Sequence, residues 1–453
     1  MKKYLFALIM TMIMIIFIFL IFHFLFKQKD SINILEATVL SYENDELTVQ
    51  NEDHIYTFYL EQFNAGIGDK IVLEYCGLLK EKNEIQKVKI KKYKIKETVK
   101  EEKSPIPKEW DDEGIFSSSY IMAFETLNEM SLDEKINQML LVRFPDNYGI
   151  DLLKEKGFGG YIFFEKDFTR KTLEEVQSLM KELQNVSKIP ILTAVDEEGG
   201  TVVRVSSNSN LSDERFKSPR ALYTSGGFDL IKEDTIKKSQ VLKKLGINLN
   251  LAPVVDVSTN SNDYMYRRSL GKDARLTGIY AAVVIEASKG TGVSYTLKHF
   301  PGYGNNTDTH TGSSIDSRTY EDIVKNDLPP FQDGINAGAE AILVSHNIVT
   351  SIDDSHPASL SPSIHNLLRN DLEFTGVVIT DDLIMDAVSS IPDVSAKAIL
   401  AGNDILITTD YEKSIESIKK ALDEGSLTED IIDHSVFRIL AWKYEKGIMN
   451  IEK

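Results

Sequence analysis

Beyond residue 116 the chain repeats one pattern eight times: a short apolar, β-rich run, then a longer stretch with helical periodicity. The runs cover residues 140–144, 159–164, 191–196, 248–257, 295–300, 341–346, 376–382 and 404–408. A strand that is apolar on both faces must be covered on both, which is the condition of a parallel strand wrapped in helices. Eight such units over about 330 residues are the count of an α/β fold of the (β/α)8, TIM-type barrel kind. An open doubly wound sheet satisfies the same alternation, but neither a G-x-G-x-x-G nor a G-x-x-x-x-G-K-[ST] fingerprint supports it. Ser131-Leu132-Asp133-Glu134 forms a capping box for the first barrel helix, with Met130 placed to staple onto it.

Three shorter segments precede this barrel domain, 116–453. From Tyr4 to Phe26 the chain is almost wholly apolar, interrupted by Thr11 and His23. A helix of that length crosses a hydrocarbon core of about 30 Å. No Ala-x-Ala site precedes Lys27, so residues 1–30 are expected to be a cytoplasmic stub and an uncleaved transmembrane anchor. Residues 31–96 carry partly alternating runs at 34–42, 46–50, 54–60, 70–75 and 85–95, separated by turn signals. They predict a small all-β domain, barrel-like and of the oligonucleotide/oligosaccharide-binding type, serving as a spacer or adaptor. The charged run Lys96 to Lys103, with Pro105 and Pro107, reads as a linker over 97–115. The formal charge of −18 argues against nucleic acid as a partner. Cys76 is the single cysteine, which excludes an internal disulfide and a cysteine-rich metal site.

In a barrel of this kind chemistry belongs at the carboxyl ends of the strands. Asp196 ends the third run, Lys298 and His299 the fifth, His346 the sixth, and Asp381 with Asp382 the seventh. Arg204 follows Asp196, and Arg268 lies in the loop after the fourth run. The segment from Lys298 runs through Pro301, Gly302 and Gly304 to Asp308 and His310. So many titratable groups on strand ends suit a polar substrate and proton transfer. Each has a plainer use: Asp382 is expected to cap the next helix, Lys298 can pair with a carboxylate, and His346 can be a hydrogen-bonded barrel histidine. Asp308, His310, His299 and His346 could surround a cation, but the charge of Lys298 opposes one; no metal and no cofactor are expected.

These residues fall into motifs, and with them the chain, over about residues 128 to 448, resembles glycoside hydrolase family 3. Within it the likeness is to the single-domain β-N-acetylglucosaminidases that trim bacterial cell-wall fragments. It rests on Met-Ser-Leu-Asp-Glu-Lys-Ile-Asn-Gln-Met-Leu (130–140), Asp-Glu-Glu-Gly-Gly-Thr-Val-Val-Arg (196–204) and Asn-Leu-Asn-Leu-Ala-Pro-Val-Val-Asp-Val (248–257). Arg-Ser-Leu-Gly (268–271), Lys-His-Phe-Pro-Gly (298–302) and Ile-Thr-Asp-Asp-Leu-Ile-Met (379–385) complete the order. The resemblance implies that Asp381 is the nucleophile and that His310, supported by Asp308, is the acid/base. It implies that Asp196, Arg204, Arg268, Lys298 and His299 hold the hydroxyls and the acetamido group of the non-reducing sugar. Tyr303 stands where the family has a second histidine, Asn305 where it often has aspartate, and Thr201 where it often has arginine.

The activity so implied is a retaining exo-β-N-acetylglucosaminidase acting on peptidoglycan-derived oligosaccharides or muropeptides. The enzyme would be a monomer, anchored in the cell membrane by its single N-terminal span, with the catalytic domain extracellular. A β-glucosidase, a β-xylosidase or a phosphorylase of the same fold is the nearest alternative. Many such relatives take their acid/base from a second domain, whereas this chain ends at Lys453 and carries His310 within the barrel, which favours the acetamido sugar. A surface glycan-binding protein without turnover is the alternative of another class.

Overall fold

The computed structural model describes residues 32–43, 46–51, 54–59, 69–76, 85–86, 89–95, 105–304 and 314–449. The chain divides into two compact units, Met1–Ser104 and Pro105–Lys453. The expected membrane span over residues 4–26 lies outside the described residues, as do Asp308 and His310. Among the described residues, no helix is long and apolar enough to cross a membrane.

The first unit holds β1 (Ile32–Glu43), β2 (Glu46–Asn51), β3 (His54–Tyr59), β4 (Lys70–Cys76), β5 (Ile85–Gln86) and β6 (Lys89–Ile95). The sheet order is β5-β3-β2-β1-β4-β6. The long β1 pairs antiparallel with both β2 and β4. β5 runs parallel to β3, and β6 runs antiparallel to β4. β5 and β6 both fall within the single run expected over 85–95. The core of this unit is Leu35, Ala37, Val39, Leu47, Val49, Phe58, Ile71 and Leu73. Alternate positions along β1, β2 and β4 supply most of these residues, as a one-sided period of two requires.

The second unit holds β7 (Leu140–Arg143), β8 (Gly160–Phe163), β9 (Leu192–Val195), β10 (Leu249–Asn250) and β11 (Ser294–Phe300). The short β12 (Ile315–Asp316) follows, then β13 (Ala341–Val344), the short β14 (Ile348–Val349), β15 (Val377–Thr380) and β16 (Leu406–Thr408). Eight of these form one sheet in the order β15-β13-β11-β10-β9-β8-β7-β16. A parallel bridge between Ile379 and Ile405 brings its two ends together, so the sheet is a nearly closed parallel barrel. Among the described residues β12 and β14 pair only with each other, in parallel.

The eight strands are those expected, in the expected order, but most stop short of the apolar run. In several runs the last residues, such as Asp196, His346 and Asp381, leave the ladder where their polar side chains would otherwise lie in the core. β10 is the most reduced, because Pro253 has no N–H to give the ladder. Pairing resumes at Val254, which bridges Lys298, and Val255 N donates to the Lys298 carbonyl at 2.7 Å.

Helix Leu132–Gln138 begins with the expected capping box. Ser131 N donates to Glu134 Oε2 at 2.8 Å, and Glu134 N donates to Ser131 Oγ at 3.4 Å. The stretch read as a linker divides at Ser104. Ile106 and Trp110 are buried in the barrel core, and Trp110 stacks on His434 at 5.4 Å, so residues from Pro105 onward belong to the barrel. Its charge run and prolines masked these two apolar anchors.

Candidate active site

A cavity of about 380 Å³ opens at the carboxyl ends of the barrel strands. Asp196, Arg204, Arg268, Lys298, His299 and Asp381 all line it, drawn from β9, β11, β15 and the loop after β10. A neighbouring cavity of about 440 Å³ shares Ile384 with it but contains none of these six residues.

One wall is a charge network. Lys298 Nζ lies 2.7 Å from Asp196 Oδ1 and 2.7 Å from Glu198 Oε1. Arg268 grips Glu198 in a fork, Nε to Oε2 at 2.9 Å and Nη2 to Oε1 at 2.7 Å. Arg204 Nη2 stands 3.4 Å from Asp196 Oδ2. Burial alone would push Glu198 toward its neutral acid, but Arg268 and Lys298 outweigh it and hold the carboxyl well below the usual range. The wall sets Arg204, Arg268 and Lys298 against Asp196 and Glu198, so it carries fixed, already paired donors.

The Glu-Glu-Gly-Gly turn gives this wall its shape. Glu197 is buried and accepts from Arg204 N and Val205 N, both at 2.7 Å, which fastens the return of the loop. Gly199 has φ +98, and a Cβ there would run into the Lys217 carbonyl oxygen, so only glycine fits the turn. Thr201, the departure in this motif, is exposed and not part of the cavity lining.

His299 is oriented from behind. Its Nδ1 lies 2.7 Å from Asp256 Oδ2, and its Nε2 lies 3.3 Å from Arg268 Nη2. A guanidinium can only donate, so Nε2 is the acceptor and Nδ1 carries the proton to Asp256. Asp256 Oδ1 also accepts from Tyr303 N at 2.8 Å. The Tyr303 ring is buried, edge-on to His299 at 5.5 Å and beside Tyr264 at 5.7 Å. At the position where a histidine was the expectation, an aromatic ring buttresses the cavity wall.

Asp381 and Asp382 sit side by side at the end of β15 with opposite tendencies. Burial pushes Asp381 up, but His346, His299, the Asp382 N–H at 2.9 Å and Lys298 prevail and hold its carboxyl below the usual range. Burial and the charge of Asp381 push Asp382 up to about 6. Asp382 does not cap the following helix, which starts only at Val394. Its carboxyl accepts instead from Ile384 N and Thr409 Oγ1, each at 3.1 Å. His346 is buried between Ser359 Oγ, 2.7 Å from Nδ1, and the Asp382 carbonyl, 3.1 Å from Nε2. The site thus pairs an ionised carboxylate with a cation-rich wall across a cavity large enough for one sugar ring. Among the described residues, no group of three or more His, Cys, Asp or Glu side chains could hold a metal ion.

The glycosyl hydrolase family 3 N-terminal domain is matched over residues 131–442. The chain belongs to glycosyl hydrolase family 3. Among relatives of this family 3 chain is a β-hexosaminidase of Stenotrophomonas maltophilia (strain K279a), 31% identical over 277 residues. That match covers 59% of this chain and 81% of the relative. The β-hexosaminidase LpqI of Mycobacterium tuberculosis is 31% identical over 269 residues, 56% of this chain and 68% of LpqI. Among solved structures, a family 3 β-N-acetylglucosaminidase from Paenibacillus sp. str. FPU-7 superposes with a TM-score of 0.67 at 28% identity. The match spans 72% of this family 3 chain and 64% of that one.

Several residues of the site escaped the sequence reading. Glu198 and Asp256 lie inside family 3 motifs already quoted, but a carboxylate's partner across the fold has no signature in one sequence. Arg143 ends β7 and could have been found by the rule that located Asp196 and Asp381. Phe164, directly after β8, ends an apolar run and carries no polar signal of its own.

Proposed function

We propose that this chain is a retaining exo-β-N-acetylglucosaminidase acting on peptidoglycan-derived oligosaccharides. The observation that carries the reading is Asp381, a carboxylate kept ionised at the end of β15 and facing a wall of fixed donors. The β-hexosaminidase and β-N-acetylglucosaminidase names of the relatives support the choice of sugar.

Asp196, Arg204, Arg268, Lys298 and His299 hold the hydroxyls and acetamido group of the terminal sugar. An Asp381 carboxylate oxygen attacks the anomeric carbon as its bond to the leaving oxygen breaks, giving a glycosyl-enzyme ester. His310, oriented by Asp308, delivers a proton to the departing oxygen. The same histidine then takes a proton from water, whose oxygen displaces Asp381 and restores the starting configuration. The cationic wall, already paired and desolvated, needs little reorganisation as charge moves at the ring.

Residues 4–26 form the membrane anchor in this reading, the unit 31–96 is a spacer, and the monomeric catalytic barrel lies outside the cell. Alkaline extraction of membranes and protease access to intact cells test the placement, and light scattering tests the monomer.

The activity is tested by offering the full-length chain 4-nitrophenyl β-N-acetylglucosaminide and the matching β-glucoside, with and without phosphate. Release from the acetamido substrate alone, independent of phosphate, is expected. Asp381→Asn and His310→Ala should each abolish most of it. No nitrophenol from either substrate would sink the enzyme reading, and full activity in His310→Ala would remove the assigned acid/base.

A further inference from the structure

Glu198 stands between two cavities. On one side is the active-site cavity of about 380 Å³. On the other is a void of about 10 Å³, which Asp234, Lys238, Tyr280 and Tyr295 line together with Glu198. Such a void has room for one water at most. A side chain that lines the void and not the larger cavity therefore acts on a sugar only through Glu198. Lys238 is the cation in that position.

Lys238 lies on helix Pro219–Leu245, beyond the break at Gly226 and Gly227. It is buried, and its Nζ is 3.1 Å from Asp234 Oδ2, one helical turn back. Burial pushes the ammonium down, but Asp234, Tyr295 and Glu197 prevail and hold it above its usual range, so it stays charged. Nζ also donates to the Glu198 carbonyl at 3.3 Å and stands 5.2 Å from the centroid of the Phe216 ring. The Phe216 carbonyl in turn accepts from Gly200 N at 2.9 Å. Both segments that meet at the Glu-Glu-Gly-Gly turn thus touch this one ammonium.

The carbonyl that Lys238 holds comes immediately before Gly199 and Gly200, which have φ +98 and +69. Glycines make that path possible, and they also make it the most permissive backbone of the wall. The Glu198 carboxylate must nevertheless meet Arg268 and Lys298 at 2.7 Å each. A charge-assisted bond to the Glu198 carbonyl fixes the base of the side chain that those two cations depend on. Stability alone does not account for it, since a buried ion pair adds little over apolar side chains of the same volume.

We propose that Lys238 is a positioning residue, which sets the place of Glu198 and through it the places of Arg268 and Lys298 against the terminal sugar. The inference rests on the hydrolase reading above and adds to it a part of the helical layer that touches no substrate. A grip on the terminal sugar is exerted before the bond breaks as well as during it, so its loss is read in KM more than in kcat.

Lys238→Met alone would strand Asp234 beside an apolar side chain. The test therefore uses Lys238→Met/Asp234→Asn in the full-length chain, which removes both charges and keeps the volume. KM for 4-nitrophenyl β-N-acetylglucosaminide is expected to rise about 10-fold, with kcat within about twofold of wild type. KM does not depend on the fraction of folded protein, so a less stable variant still gives an answer. A merely structural role would lower the urea midpoint and leave KM where it is. The Arg268 Nε–H, which donates to Glu198 Oε2 at 2.9 Å, gives a second reading without substrate. Its nitrogen NMR signal is expected to shift and to exchange faster with water in the double variant. An unchanged KM would overturn the proposal, as would an unmoved Arg268 signal. If wild type released no nitrophenol, the hydrolase reading would fall, and the Arg268 signal alone would still decide whether Lys238 holds Glu198 in place.

Discussion

Asp256 Oδ2 accepts the Nδ1 proton of His299 at 2.7 Å, and this single contact decides which face His299 turns to the sugar. Through it Nε2 is left as an acceptor beside Arg268, and the imidazole stays in one tautomer. The same carboxylate takes the Tyr303 N–H, so it ties the end of β11 to the loop that follows. Asparagine offers one acceptor oxygen where two are in use. In Asp256→Asn an amide donor must face either Nδ1–H or the Tyr303 N–H, and the first choice drives the proton to Nε2, against a guanidinium donor. We expect kcat/KM to fall about 100-fold with the fold retained. Nitrogen NMR of His299 reads the tautomer directly. An unshifted tautomer with normal turnover would remove the positioning role from Asp256.

Lys298 is nearly excluded from solvent and bridges Asp196 and Glu198. Removing one member of a buried ion network leaves the others as uncompensated charge, at a cost of about 3 kcal/mol or more. Lys298→Met keeps most of the volume and removes only the charge. Its urea midpoint should fall accordingly, and its kcat/KM should fall further than stability explains. A midpoint equal to wild type would mean that Arg268 and Arg204 compensate alone.

Asp382 gives a pH signature. Its folded-state carboxyl is pushed up to about 6, whereas an unfolded aspartate titrates near 3.9. Between those values the folded chain binds the extra proton, so the stability contributed by this group is complete below about pH 4 and is lost as pH rises through 6. Asp382→Asn lacks this dependence. Relative to wild type it should gain about 2 kcal/mol from pH 4 to pH 7, since a shift of about 2 units is worth nearly 3 kcal/mol before the weaker Thr409 contact is counted. Thermal unfolding at the two pH values measures it. A constant difference would show that Asp382 is ionised throughout.

Much of the fold and part of the site were legible because both depend on local pattern. The eight strands announce themselves as apolar runs, and the side chains that end them, Asp196, Lys298, His299 and Asp381, follow from strand direction alone. Arg268 needed the family motif, since its loop has no period. What escaped was relational. Nothing around Glu198 states that Arg268 and Lys298 will reach it, and nothing around Asp256 states that it stands behind His299. Asp382 misled for the opposite reason: aspartate after a strand usually caps a helix, but here a long run of turns separates it from Val394. Trp110 was hidden by the prolines and charges before it, although its burial is what assigns residues from 105 onward to the barrel.

The stems of the segment that carries Asp308 and His310 meet on one ion cluster. Arg318 Nη1 lies 2.7 Å from Asp327 Oδ2, and Arg318 Nη2 lies 2.6 Å from Asp316 Oδ2. Gly302 packs against Asp327 and Gly304 against Arg318, while Ile315 and Asp316 pair with Ile348 and Val349. Both glycines have positive φ, +120 and +59, and a Cβ on Gly304 would stand 2.5 Å from Arg318 Nη2. Gly304→Ala therefore forces either the stem or the guanidinium to move, at about 1–2 kcal/mol of strain. Displacing Arg318 leaves Asp327, which burial already pushes up to about 7, without its counter-charge. Because proton transfer depends on placement to within a fraction of an ångström, turnover should suffer more than stability. We expect kcat to fall about 30-fold, with KM little changed. In this reading the ground-state grip belongs to the Lys298 wall, so a rise in KM at constant kcat would show that the stem serves binding and not proton transfer. Pairing Gly304→Ala with Arg318→Ala separates the causes, since removing the guanidinium opens the space the methyl needs. If the clash is the reason, the double variant should lose no more activity than Arg318→Ala alone, whereas additive losses would place the effect of Gly304 in its backbone conformation.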